Sequence, residues 1–190
     1  MILPIVAYGH PTLKKVAADI TPDYPNLDKL IADMWETMYQ ASGVGLAAPQ
    51  VNKSIRLFII DATVYAEDHP ETANFKKVFI NAHITEETGE EVVMSEGCLS
   101  LPGMNEDVSR KPTLVMNYLD ENFVAHTESY QGFVARIIQH EYDHIDGILY
   151  VDRLNNLRRM LLKGKLRDIS TGKVEVDYRM IFPNLKKRSR

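Results

Sequence analysis

The sequence predicts an α+β fold in which antiparallel β-sheets pack around one central helix and the chain ends in a strand. Three observations carry that expectation. Segments with strand character dominate and their connections are short, which favours antiparallel pairing. One stretch, Phe133 to Tyr150, places Phe133, Ile137, His140 and His144 on one helical stripe and Val134, Ile138 and Ile145 on another. Apolar residues on two stripes mark a helix buried from several sides. Near the end, Val174, Val176, Tyr178, Met180 and Phe182 fall on alternate positions, the first three separated by Glu175 and Asp177, the pattern of a half-buried strand. At 190 residues the chain fits a single domain, residues 1–190, with room for a substantial core.

Taken in order, Gly9-His10-Pro11 marks a first turn. Asn26 to Ala41 reads as an amphipathic helix with Leu27, Leu30, Ile31, Met34 and Met38 on its apolar face. Gly43 to Gln50, GVGLAAPQ, then breaks all periodicity with small residues. Ile55 to Asp61 is a compact apolar strand. Thr63 to Lys76 is polar and contains Pro70, so an exposed loop is expected. Val78 to Ile84 and Glu90 to Met94 read as strands joined around Gly89, and Glu96 to Gly103 as a turn-rich segment. Thr113 to Leu119 alternates, and Asp120-Glu121-Asn122 returns it as a hairpin through Phe123 to Tyr130. Gly132 precedes the central helix, and Gly147 falls where a helix C-terminus favours a left-handed residue. A short strand at Ile148 to Val151 and a basic helix at Leu154 to Leu166 lead into the terminal strand.

Composition narrows the function classes. The chain is 45% hydrophobic and 25% charged, as in ordinary globular proteins. No apolar run approaches a membrane span. Met1 to Val6 is apolar but short, and it lacks the basic start of a secretory signal. A formal net charge of −4 argues against a nucleic-acid-binding surface over the whole molecule. The one basic cluster, Lys186 to Arg190, reads as a solvated tail. A single cysteine excludes an internal disulfide and fits a reducing compartment.

The central helix carries H-E-x-x-H as His140, Glu141 and His144. Histidines four positions apart on a helix stack one turn above the other, where both rings can bind one metal ion and the intervening carboxylate can reach its water. The pattern is short enough to arise by chance, and two histidines leave a metal under-ligated. Cys98, in the glycine-flanked turn EGCLS, is the candidate third ligand, because Cys with two His leaves a position for water. Its alternatives are a small buried hydrophobe and a Cys–His nucleophile. Glu96 and Arg110 flank this turn, either as an ion pair that supports it or as unconnected surface charges. Asp143 either orients a ring or faces solvent. His10, His69, His83 and His126 have no ligand spacing.

Three separated segments, GVGLAAPQ (Gly43 to Gln50), EGCLS (Glu96 to Ser100) and QHEYDH (Gln139 to His144), resemble the signature motifs of bacterial peptide deformylase, in the family's order. The similarity continues through a G-x-P near the N-terminus, Pro102-Gly103, Arg110 and GILYVDRL after the helix, spanning residues 2–154. Thr63 to Lys76 looks like an insertion relative to the shortest members of the family, and the match is weakest after Leu154, where some members end in a helix and the alternation here argues for a strand.

That resemblance implies removal of the formyl group from the N-terminal formyl-Met of nascent polypeptides. Carried over by motif, Cys98, His140 and His144 hold the metal and Glu141 is the catalytic carboxylate. Gln50 offers its side-chain amide, and Leu99 its backbone N–H, to the oxyanion. Gly45 lets the substrate backbone approach. Chemically, a divalent ion makes water a nucleophile at neutral pH. Glu141 takes that water's proton as it attacks the formyl carbon, then protonates the departing amine. Val44, Phe133 and Ile137 are candidates for the pocket that receives the Met side chain, with the stem of Arg136 at its rim and the charge outward. Fe(II) is the implied ion, although the same ligands accept zinc, nickel or cobalt. The implied partners are formyl-Met N-termini and the ribosome near its exit tunnel, with neither membrane nor sequence-specific nucleic acid. The lack of a transit peptide favours a bacterial cytoplasm. Two rival readings remain: an H-E-x-x-H peptidase cutting internal bonds, whose third ligand would lie downstream, and a non-catalytic metal-binding protein of the same fold, which would not need Glu141.

Overall fold

The run Leu57-Phe58-Ile59-Ile60 is apolar on both faces, and the layering explains why. The structure, a computed structural model, describes residues 1–184; the basic tail Lys186 to Arg190 therefore lies outside the described residues. The strands are β1 (Ile5–Val6), β2 (Gly45–Ala47), β3 (Leu57–Asp61), β4 (Lys76–Thr88), β5 (Val92–Cys98), β6 (Leu101–Arg110), β7 (Thr113–Leu119), β8 (Ala125–Gln131) and β9 (Met180–Ile181). The helices are α1 (Leu27–Gln40), α2 (Gly132–Ile145) and α3 (Asn156–Ser170). A five-stranded antiparallel sheet runs in the order β2-β3-β4-β7-β8. In β3, Phe58 and Ile60 face one core with Val134, Ala135 and Ile138 of α2. Leu57 and Ile59 face another with Leu27, Ile31, Met34 and Met38 of α1. A strand covered by a helix on each side has no polar face to show.

Helix α1 matches its expected span to within a residue at each end. The central helix is shorter than the Phe133–Tyr150 stretch and stops at Ile145. There Gly147 adopts φ +73°, Ile148 N–H donates to Asp143 C=O at 2.8 Å and Gly147 N–H to His144 C=O at 3.3 Å. This is a Schellman-type end. A Cβ on Gly147 would fall 2.9 Å from the Lys14 backbone, a second reason for glycine.

Several expectations need correction. Ile148 to Val151 forms no strand; Tyr150–Arg153 is a 3-10 turn, with Tyr150 and Val151 in the core and the Asp152 carboxylate accepting Leu149 N–H at 2.8 Å. The alternating segment at the C-terminus makes a ladder only at Met180–Ile181, parallel to β1. Its inward residues Val174, Tyr178, Met180 and Phe182 pack on the body, so the alternation records one-sided packing without a full strand partner. Strands β4 and β5 connect around Gly89 but do not pair; β5 instead pairs with β6, which begins inside the segment expected to be turns. Strand β6 buries Leu101, Met104 and Val108, but also Glu106 and Arg110, and these inward charges hide its alternation.

The loop from 63 to 75 is less exposed than its polarity suggests. It contains two 3-10 turns, at Thr63–Tyr65 and Pro70–Thr72, and buries Thr72 and Phe75. Helix α3 begins at an Asn155 cap that accepts Arg158 N–H at 2.9 Å, and it packs Leu162, Leu166 and Ile169 against β6. Among the described residues no helix is long and apolar enough to cross a membrane.

Candidate metal centre

Helix α2 presents His140 and His144 to the end of β5, because a four-residue step returns to the same helix face. The Cys98 Sγ lies 3.4 Å from His144 Nε2, and donor atoms of Cys98, His140 and His144 all fall within 4.8 Å of one another. One soft sulfur and two imidazoles at this spacing fit a single divalent cation with a position left open. Burial holds the His144 ring well below its ordinary pKa, which favours the neutral form that a metal needs; against burial, hydrogen bonds to Cys98 and Glu96 raise that of His140, whose proton a bound cation would displace.

Behind the cluster lies a buried charge network. The Glu96 carboxylate accepts from Arg110 Nε at 2.7 Å and Nη2 at 2.9 Å, from Arg136 Nη1 at 2.9 Å, and pairs with His140 Nδ1 at 2.9 Å. Burial alone would raise the carboxyl pKa, but the Arg110 and His140 hydrogen bonds hold it well below the usual range. By engaging Nδ1, Glu96 turns His140 Nε2 towards the cluster. Arg110 continues to Asp143 at 2.7 Å, and Arg153 Nε closes on the same carboxylate at 2.6 Å. The ion pair expected between Glu96 and Arg110 is thus buried and bidentate. Asp143 neither orients a ring nor faces solvent; it binds two arginines.

Arg136 is the clearest reversal. Its charge does not point outward: it is 6% exposed and donates to Glu96 and to the carbonyls of Val108 and Val92. A buried anion draws the guanidinium inward, although the residue still borders the cleft.

That cleft, about 520 Å³, is lined by Val44, Gly45, Gln50, Cys98, Leu99, Phe133, Ile137, His140 and Glu141, bringing together residues from three segments. Gln50 Oε1 accepts Ala47 N–H at 2.8 Å, which aims the amide nitrogen at Cys98 Sγ (3.5 Å) and Ser100 Oγ (3.4 Å). Glu141 is buried, and its Oε2 has no partner among the described residues. Burial pushes this carboxyl up to about 7; a divalent cation beside it would pull it back down. A Cβ on Gly45 would fall 2.7 Å from Glu141 Cδ and closer still to its Oε1, so this glycine makes room for the carboxylate itself.

The cleft also holds residues that the motifs do not mark. Tyr65 lines it from the loop after β3, and Tyr178 from the C-terminal segment, donating its hydroxyl to Leu99 C=O at 2.8 Å. Neither lies in a motif, and Tyr178's alternating context marks only a buried face, so the fold alone brings them here. The remaining histidines stay outside the metal cluster. His10 accepts Thr12 N–H at a turn, His69 stacks on Phe133, and His126 pairs with Asp120 at 2.8 Å.

Known proteins resemble this chain closely. Residues 2–160 match the family model described as polypeptide deformylase. A peptide deformylase of Christiangramia forsetii is 55% identical over 98% of this chain and 99% of its own length. One from Flavobacterium johnsoniae is 53% identical with the same coverage. The crystal structure of a peptide deformylase from Legionella pneumophila superposes with a TM-score of 0.78 at 35% identity, covering 91% of this chain and 98% of that one. That of the Thermus thermophilus enzyme gives 0.78 at 36%, covering 88% and 97%. Similarity of this extent, on a chain whose single cysteine faces its histidine helix, makes it a member of the polypeptide deformylase family of hydrolytic enzymes.

Proposed function

We propose that the chain hydrolyses the formyl group from formyl-Met N-termini of nascent polypeptides, with Cys98, His140 and His144 holding Fe(II). The observation that carries this reading is Glu141, a buried carboxylate with one unpartnered oxygen in the same cleft as the Cys/His/His donors. A purely structural metal site has no use for it.

A divalent cation at these donors supplies Lewis acidity and brings the pKa of its water towards neutrality. Glu141 carries the proton. Its carboxylate accepts one from the attacking water and returns it to the peptide nitrogen as the C–N bond breaks, so formate leaves with the water's oxygen and a free amine remains. The Gln50 amide and the Leu99 backbone N–H donate to the carbonyl oxygen as it gains charge. Val44, Phe133 and Ile137 receive the Met side chain, while Gly45 keeps the space that Glu141 occupies. Thiolate with two imidazoles accepts several ions; zinc is the runner-up to Fe(II), and an iron–thiolate site is the more sensitive to oxygen.

Residues 1–190 act as one catalytic domain in a bacterial cytoplasm. Contact with the ribosome is supported by α3, where exposed Leu157, Met160 and Leu161 sit among Arg158, Arg159 and Lys163. An internal-bond peptidase is disfavoured because the candidate third ligand, Cys98, lies upstream of the helix.

The decisive experiment is anaerobic purification with metal analysis, followed by formate release from a formyl-Met peptide. Absence of formate from the Fe(II)-loaded protein would refute the proposal. Glu141→Ala is expected to keep its metal and lose turnover, whereas Cys98→Ala loses the metal. Near-full activity in Glu141→Ala would rule out its proton-carrying role.

A further inference from the structure

The polar segment between β3 and β4 carries an aromatic ring into the cleft. Tyr65 lines the cleft together with Phe133, meeting it edge-on with centroids 4.8 Å apart and planes at 80°. His69 of the same segment stacks flat on Phe133, at 4.1 Å and 7°. The segment is built to hold this position. Tyr65 N–H donates to Ala62 C=O at 3.0 Å, His69 N–H to Tyr65 C=O at 2.7 Å, and Thr72 is fully buried.

Helix geometry gives the direction. Ile137 and Phe133 precede His140 on one face, about 4.5 Å and about 10 Å along the axis. A side chain running from the metal centre towards the helix N-terminus meets Ile137 first and the Phe133–Tyr65 pair last. We infer that Tyr65 is the end wall of the side-chain pocket and sets the length of the first residue accepted, with His69 holding Phe133, and so the wall, in place. The inference rests on the deformylase reading above.

The test compares formate release from formyl peptides that begin with Met, norleucine or the straight-chain 2-aminooctanoic residue. For the wild-type enzyme, the longer chain should lose at least about tenfold in kcat/KM against norleucine, the discrimination available to a closed apolar pocket. Tyr65→Ala should shrink that ratio to within about threefold, and Tyr65→Leu should move it the same way, whereas Tyr65→Phe, which keeps the ring, restores it. His69→Ala should fall between. General damage would lower both substrates together and leave the ratio unchanged. A wild-type ratio in both Tyr65→Ala and Tyr65→Leu, with circular dichroism intact, overturns the end-wall assignment alone. Absence of formate from the Met peptide with wild-type enzyme overturns the underlying reading instead.

Discussion

Gly45 lacks a side chain because Glu141 needs the space. The family motif implies close approach by a substrate at this residue. The structure adds a nearer reason, since any Cβ would collide with the Glu141 carboxylate. Gly45→Ala should therefore displace Glu141 and lower kcat by about 10²-fold or more, on the scale of losing positioned acid–base catalysis. Metal content should stay unchanged, measured by metal analysis beside formate release. A variant with wild-type kcat would show that the carboxylate can retreat without cost. At this scale His140, Glu141 and His144 were legible because a helix makes their relation local. The Gly45–Glu141 contact was not, because it joins β2 to α2.

Strand β6 and helix α2 meet through charge as well as through apolar packing. Glu96 on β5, Arg110 on β6, and Arg136 and Asp143 on α2 form one buried network. Removing one member of such a set strands the others without water or partner. Glu96→Ala is expected to cost about 3–5 kcal/mol of folding stability, from leaving Arg110 and Arg136 uncompensated. It should also weaken metal binding by about 10–100-fold, through loss of the His140 support. Urea unfolding and metal titration read the two effects separately; stability within about 1 kcal/mol of wild type would contradict the first, taking the scale of an exposed pair. The same network explains why β6 escaped the sequence pattern. Hydrophobic alternation cannot mark a strand whose inward positions include Glu106 and Arg110.

Over the whole molecule, the C-terminal segment lines one side of the cleft, and the N-terminal strand pairs with it. Strands β1 and β9 pair, and Tyr178 ties the C-terminal segment to Leu99 beside Cys98. Tyr178→Phe removes one hydrogen bond worth about 1 kcal/mol, so Tm should fall by about 2–4 °C for a chain of this size. Thermal unfolding checks this, and an unchanged Tm would mean that the tie contributes nothing. By itself the sequence determined the α+β class, the spans of α1 and the β7–β8 hairpin, the histidine helix and, through three motifs, the family. Each is a matter of local periodicity or of residues close along the chain. Tertiary structure alone decided the inward turn of Arg136, the pairing of β5 with β6, the reduction of the last strand to two residues, and the arrival of Tyr65 and Tyr178 in the cleft. These depend on which distant segment lies opposite, and a linear pattern of apolar and polar residues records whether a position is buried, not what it is buried against.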